Sequence, residues 1–398
     1  MCKLKFLLLF IIFSVVNASS EPTRRIISID EAVFIALENN PSVKSTNADI
    51  DISKAILKKS KSALYPQIKS KIVVPFIGRE SGFFLDQLIW DFGRTHNAIK
   101  SNKYNLESSR YSSKNVISEL TRDIKIKYYT ALIAKNNLQR SNALISQHEL
   151  QVEKAHELQK VERISHTEYT RAKIELQKSR LTHINNQNIF KTNKLELLNL
   201  MGDLDIDDFD ISDELSFEKI ILTESEYLEV ALSSSTQVKS LEALQAGIRA
   251  KKSISKSKFY PLIFGRTAYR FEGEGADTPA FIAGIGIEMP LFQGFSRFAE
   301  ISQAKAELLK NEAQINDLKN DIILTIKKLF LELNHLEKMV EVSKESQLIS
   351  KKDYELAKER YELELASKIE LSESESSYIM AESDYKNSIY NYKITKIK

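Results

Sequence analysis

The 398-residue chain has one cysteine, one tryptophan, 11 glycines and 7 prolines. A lone Cys2 excludes an intrachain disulfide framework and a Cys-x-x-Cys site. It also precedes an apolar run, so it does not occupy the usual lipid-attachment position. So few Gly and Pro point to long uninterrupted elements, and they cluster near 65–94 and 260–297. The six histidines, at 96, 148, 156, 166, 183 and 335, show no metal-ligand spacing such as His-Glu-x-x-His. With no nucleophile elbow and no phosphate loop, the chain reads as a non-enzyme without a cofactor or metal. Charge is nearly balanced: 57 basic against 54 acidic residues become 55 against 54 once Lys3 and Lys5 are set aside, and nothing points to nucleic acid.

What is present begins with "MCKLKFLLLFIIFSVVNA". A Lys-bearing start, an apolar run from Phe6 to Val16 and small residues after it predict a secretory signal over 1–18. The run is too short to span ~30 Å of hydrocarbon comfortably. The mature chain is expected to be exported.

The chain then repeats itself. "SKSALYPQIK" from Ser60 and "SKSKFYPLIF" from Ser255 stand 195 residues apart, and the same offset aligns Val43-Lys44-Ser45 with Val238-Lys239-Ser240. Beyond the Tyr-Pro pairs the offset becomes 202: "WDFGRTHNAI" meets "FQGFSRFAEI", and the match runs on to Ser165 and Ser367. Two copies of one unit are expected, 19–202 and 223–398, joined by an acidic linker over 203–222.

Within each unit the periodicity changes. Val116, Leu120, Ile124, Tyr128, Ala131, Ala134 and Leu138 recur in steps of three and four, as do Leu318, Ile322, Ile326, Leu329, Leu333, Leu336 and Val340. These predict long helices with a packing seam, about 95–160 and 297–362, each ~100 Å long. Shorter helices follow at about 167–201 and 368–397, after breaks at "VERISHTEY" and "LELASKIEL", and Gly202 reads as a helix C-cap.

Around the Tyr-Pro pairs the period is two. Phe281, Ala283, Ile285 and Ile287 alternate with Ile282, Gly284, Gly286 and Glu288. Gln67, Lys69 and Lys71 alternate with Ile68, Ser70 and Ile72. Strands are predicted at about 65–76, 82–91, 260–271 and 280–291, with hairpin tips near 77–81 and 272–278. Their length suits a tilted membrane strand. Four strands cannot close a barrel, and an open edge in lipid leaves backbone groups unpaired, so several chains must share one.

The opening "DEAVFIALENNPSVK", the two Tyr-Pro strand starts, the exits "WDFGRT" and "LFQGFSR" and the tail "YIMAESDYKNSIYNYK" together resemble TolC-type outer-membrane factors. The resemblance covers nearly all of the mature chain in order. It implies a mainly helical protein with a membrane β-barrel, built as two tandem repeats of helix, β-hairpin, long helix and helix. Three chains would form a twelve-stranded barrel in the outer membrane and a helical tunnel through the periplasm. The implied partners are two further copies of the chain, a periplasmic adaptor, an inner-membrane transporter and the lipid bilayer. The implied role is export, as type I protein secretion or small-molecule efflux.

The resemblance also assigns sites. Glu370 and Glu373 fall where the family carries acidic rings at the tunnel entrance; by themselves they are an ordinary i, i+3 helix face. Tyr361, Thr167 and Glu168 fall where inner and outer helix pairs are tied in the closed state, although Ala366 stands where a basic residue is expected. Val161, Glu162, Arg163 and Ile164, with Leu363, Glu364 and Leu365, form the adaptor-docking tips. Glu162 and Glu364 stand where the family often has Gly, and "ITKIK" stops short of the first copy's "LLNLMG". Two other classes compete. A secreted coiled-coil or adhesion protein explains the helices but not the alternating hairpins, and a periplasmic adaptor should carry a Gly- and Val-rich lipoyl-like segment that is not visible.

Overall fold

Each half of the chain opens on two helices where one was expected. The computed structural model describes residues 25–72, 81–202, 209–212, 215–221, 223–271 and 280–398. The expected signal segment, the hairpin tips apart from Ser81, and 203–208 of the acidic linker lie outside the described residues. Helix α1 (Ile29–Asn39) gives way to α2 (Pro41–Ser62) at Asn40. Pro41 has no N–H with which to continue α1 and suits the first position of α2, while the Asn40 side chain accepts from the Ser42 N–H at 2.8 Å. The second half repeats the break with α5 (Glu224–Ser234), α6 (Thr236–Ser257) and Ser235 as the cap between them.

The strands β2 (Gln67–Lys71), β3 (Gly82–Trp90), β5 (Leu262–Arg270) and β6 (Ala280–Glu288) form one antiparallel sheet in the order β2-β3-β5-β6. β6 stops at Glu288, short of the expected 291, because Pro290 cannot donate to a ladder. Long helices follow each hairpin, α3 (Arg94–Lys160) and α7 (Ser296–Glu362), each of 67 residues. They are ~100 Å long at 1.5 Å per residue. Helices α4 (His166–Met201) and α8 (Lys368–Ile397) return alongside them. Among the described residues no helix is long and apolar enough to cross a membrane.

The main core lies partway along α3, around a two-stranded parallel sheet that sequence periodicity did not suggest. β1 (Arg25–Ile27) pairs with β4 (Phe209–Ile211), which arises inside the expected linker. Ile27, Ile211 and Phe209 are buried with Ile124, Tyr128 and Met201. The Tyr128 hydroxyl lies 2.6 Å from the Ile27 carbonyl and 2.7 Å from that of Ser212, and accepts the Ser212 N–H at 3.2 Å. One buried hydroxyl thus joins both strands to α3, and Lys135 adds a 2.7 Å contact to Asp210.

Gly202 closes this region from below. It ends α4 at φ +71, and a Cβ there would meet the Asn40 Cα and N at 2.9 Å. Both the left-handed backbone and the close approach to the α1–α2 break require glycine. Around the core, α4 packs on α3 and α8 on α7, α2 on α3 and α6 on α7; α6 and α8 also pack on α3.

Candidate functional site

The four-stranded sheet has two chemically distinct faces. Ile263 stands opposite Ile287, Thr267 opposite Ala283 and Tyr269 opposite Phe281, and on β3 Phe83 and Leu85 continue the same row. Period two places Ile68 on that face as well. No charged residue of the four strands falls on it, and its side chains are bare: Ile68 is 74 %, Ile285 75 % and Ile287 71 % exposed.

Every charge of the sheet lies on the opposite face: Lys69, Lys71, Arg266 and Arg270 with Asp86 and Glu288. Arg266 Nε donates to Asp86 at 2.6 Å, and Lys69 lies 3.9 Å from the other Asp86 oxygen. Asp86 is a centre that sequence reasoning passed over, although its even numbering on β3 put it in phase with the charged row. Gly284 on this face leaves open space, with nothing within 4 Å of an added Cβ.

Where the sheet meets the long helices, both repeats use two consecutive left-handed residues, in opposite order. The first has Phe92 (φ 51) then Gly93 (φ 81), the second Gly294 (φ 56) then Phe295 (φ 63). Phe92 stacks on Tyr260 at 5.0 Å and meets the edge of Trp90 at 6.1 Å.

The far ends of the helix pairs are built by complete capping motifs. After α3, Glu162 sits at φ +55; its N–H donates to the Gln159 carbonyl at 3.0 Å, and the Arg163 N–H donates to Leu158 at 2.9 Å. After α7, Glu364 sits at φ +61 with the same two bonds, to Tyr361 at 3.0 Å and from Leu365 to Arg360 at 2.7 Å. These are Schellman closures, in which the left-handed residue is usually Gly. The places where this sequence departs from the family pattern are thus the places where the backbone favours glycine. Val161, Leu363 and Leu365 are exposed at the tips, with Ile164 half-buried.

Ser165 opens α4 with a reciprocal capping box: its hydroxyl accepts the Glu168 N–H at 3.2 Å, and the Glu168 carboxylate accepts the Ser165 N–H at 3.0 Å. Glu168 is therefore engaged within its own tip, and the Ser-x-x-Glu signature of that box was readable in the sequence. Thr167 is exposed beside it, and Tyr361 is exposed at the end of α7.

Ser367 caps α8 through the Glu370 N–H at 3.2 Å, and the Glu370 carboxylate accepts from Arg360 at 2.6 Å. Glu373, one turn on, accepts from Gln151 of α3 at 3.2 Å. Glu370 and Glu373 thus share a helix end but not an environment. Neither Arg360 nor Gln151 was singled out from sequence: Arg360 reaches Glu370 across the turn from α7 to α8, Gln151 lies 222 residues from Glu373, and neither pairing follows a local motif. Among the described residues no three His, Cys, Asp or Glu side chains converge so as to hold a metal ion.

No protein-family profile matches the chain, and no curated protein matches it. Solved structures do. The Campylobacter jejuni CmeC outer membrane channel superposes with a TM-score of 0.77 at 14% identity, over 93% of this chain and 84% of that one. The Vibrio cholerae outer membrane protein VceC gives 0.71 at 15% identity, over 92% and 94% of the two chains. The Neisseria gonorrhoeae MtrE outer membrane channel gives 0.69 at 15% identity, over 93% and 88%. The chain thus has the fold of outer-membrane channels, in accord with its resemblance to TolC-type factors.

Proposed function

We propose that the protein is the outer-membrane exit duct of a tripartite export system, passing proteins or small molecules from an inner-membrane transporter and a periplasmic adaptor to the exterior. The sheet carries this reading. An exposed face with no charge suits lipid, and an opposite face holding four basic and two acidic side chains suits a water-filled lumen. A secreted coiled-coil protein or an adaptor leaves that apolar face without a partner. Strands of nine residues are of the length that crosses a membrane when tilted.

Four strands leave β2 and β6 as open edges, so the duct is shared by several chains, three by the resemblance. The repeats support closure of a ring. The second half meets the first through β5 on β3, α6 on α3 and α8 on α3. The equivalent contacts, β2 on β6, α2 on α7 and α4 on α7, would be made by the next copy.

In this reading Glu370 and Glu373 ring the entrance and attract cations. Tyr361, Thr167 and Glu168 tie the closed state, and the tips at Val161–Ile164 and Leu363–Leu365 meet the adaptor. The test is fractionation followed by planar-bilayer recording of the purified protein. A heat-modifiable trimer in the outer membrane that conducts ions is expected; a soluble monomer without conductance overturns the proposal.

A further inference from the structure

Helix α6 packs on both α3 and α7. Between these flanking helices it floors a cavity of about 380 Å³, a volume within the range of small-molecule sites. Gly247 keeps the α3 side of the cavity open, since a Cβ there would meet Asn105 Oδ1 at 2.8 Å. The Gly247 carbonyl accepts from the Ser101 hydroxyl at 3.0 Å, which fixes α6 against α3.

On the α7 side the cavity is bounded by Asn311, which is 2 % exposed. Among the described residues neither its Oδ1 nor its Nδ2 has a hydrogen-bond partner. The first repeat treats the same position differently. The offsets of 202 and 195 carry Asn311 to Ser109, and Ile248, which lines the same cavity, to Ser53. There the two hydroxyls bond to each other at 2.9 Å, and Ser109 donates to the Asn105 carbonyl at 3.1 Å. A satisfied hydroxyl pair in one repeat is thus an unpartnered amide in the other, with an isoleucine in place of the partner. A buried polar group left without partners costs about 1–3 kcal/mol, which a ligand supplying both a donor and an acceptor would offset.

The charges around the amide set the sign of that ligand. The Lys251 ammonium meets the two Glu307 oxygens at 3.0 and 2.9 Å, and Gln303 donates to the same carboxylate at 2.8 Å, so this pair is neutral in itself. Lys310 also lines the cavity, and among the described residues no acidic side chain pairs with it. One uncompensated cation beside an amide that offers a donor and an acceptor suits a small organic anion with a hydroxyl next to its carboxylate.

We propose that the cavity between α3, α6 and α7 binds a small hydroxycarboxylate. Its hydroxyl donates to Asn311 Oδ1, and its carboxylate accepts from Asn311 Nδ2 and from the Lys310 ammonium. The site lies within one chain, so it neither needs an oligomer nor depends on the proposed export role.

The test is equilibrium dialysis of the purified full chain against lactate, with propionate lacking the hydroxyl and lactamide lacking the charge. Saturable lactate binding is expected, weaker by about tenfold or more for either analogue, as one strong hydrogen bond is lost. Lys310→Gln, at an exposed position, should weaken lactate by a similar factor and leave lactamide unchanged. Asn311→Leu should abolish saturable lactate binding while the thermal midpoint of the ligand-free protein holds or rises, because an apolar group of similar shape replaces an unpartnered amide. The absence of saturable lactate binding, equal affinity for lactate and propionate, or lactate binding retained in Asn311→Leu overturns the proposal. Should Asn311→Leu fold poorly, Lys310→Gln alone decides, and unchanged lactate affinity in that variant overturns it.

Discussion

Arg360 and Glu370 face each other across the turn from α7 to α8, Nη1 to Oε1 at 2.6 Å, while the Glu373 carboxylate one turn further on accepts from the neutral Gln151 amide. A carboxylate with a guanidinium partner contributes less field at an entrance than one with a neutral partner. Glu373→Gln is therefore expected to lower cation preference more than Glu370→Gln, and Arg360→Gln to raise it. Replacing both glutamates by Ala should lower preference most and leave assembly intact. Reversal potentials in single channels measure this; equal effects of the two single variants would remove the ion pair from the open channel.

Glu162 and Glu364 occupy left-handed closures at φ +55 and +61. A side chain there costs roughly 1–2 kcal/mol, of which glycine's extra chain entropy returns 0.5–1. Glu162→Gly and Glu364→Gly are each expected to stabilise the tip by about 0.5–1 kcal/mol. Hydrogen exchange at the backbone amides of positions 162 and 163 should slow in the first variant. Faster exchange would show that the carboxylate makes a contact outweighing the strain.

Tyr128→Phe removes the hydroxyl that serves β1 and β4 together. With the Ile27 and Ser212 carbonyls and the Ser212 N–H losing that partner in a buried site, a loss of about 1–3 kcal/mol is expected. Urea unfolding measures it, and a change under about 0.5 kcal/mol would mean that water replaces the hydroxyl.

Neighbouring positions on β6 should respond oppositely to the same side chain. Ile285→Lys puts a charge on the apolar face and should cost ~2–4 kcal/mol if that face meets the bilayer midplane. Gly284→Lys enters open space on the charged face and should be tolerated. Folding into lipid vesicles against denaturant separates them, and equal costs would reverse or erase the assignment of faces.

Asp210 supplies a pH-dependent contact at the core. Burial pushes its carboxyl up, but the Lys135 ammonium at 2.7 Å and the Ile211 N–H at 2.8 Å outweigh it and hold the group below the usual carboxylate range. A carboxyl depressed in the folded state stabilises above its unfolded value near 4 and loses that contribution as pH falls through the folded value. Asp210→Asn should therefore be less stable than wild type at pH 7, by at most about 1 kcal/mol because the side chain is 39% exposed. The gap should close below about pH 4. Thermal unfolding at both pH values measures it, and a constant gap would exclude the linkage.

Local chemistry let the sequence speak for the repeats, the helical seams and the alternation around the Tyr-Pro pairs. The offsets of 195 and 202 recur between element bounds, from Ile29 and Glu224 to Arg94 and Ser296, because each unit folds on its own period. The parity of Lys69 and Arg266 likewise separates the faces of the sheet without coordinates. The tertiary structure alone decided the rest. β1 and β4 are three residues each, too short for periodicity, and exist because Tyr128, some 100 residues from one and 80 from the other, holds both. Arg360 opposite Glu370 and Gln151 opposite Glu373 depend on how far each helix runs before it turns and which neighbour it then meets. The unequal partners of α4 and α8 are a property of packing, since the repeats share one pattern and only the arrangement in space leaves one seam filled and its counterpart open.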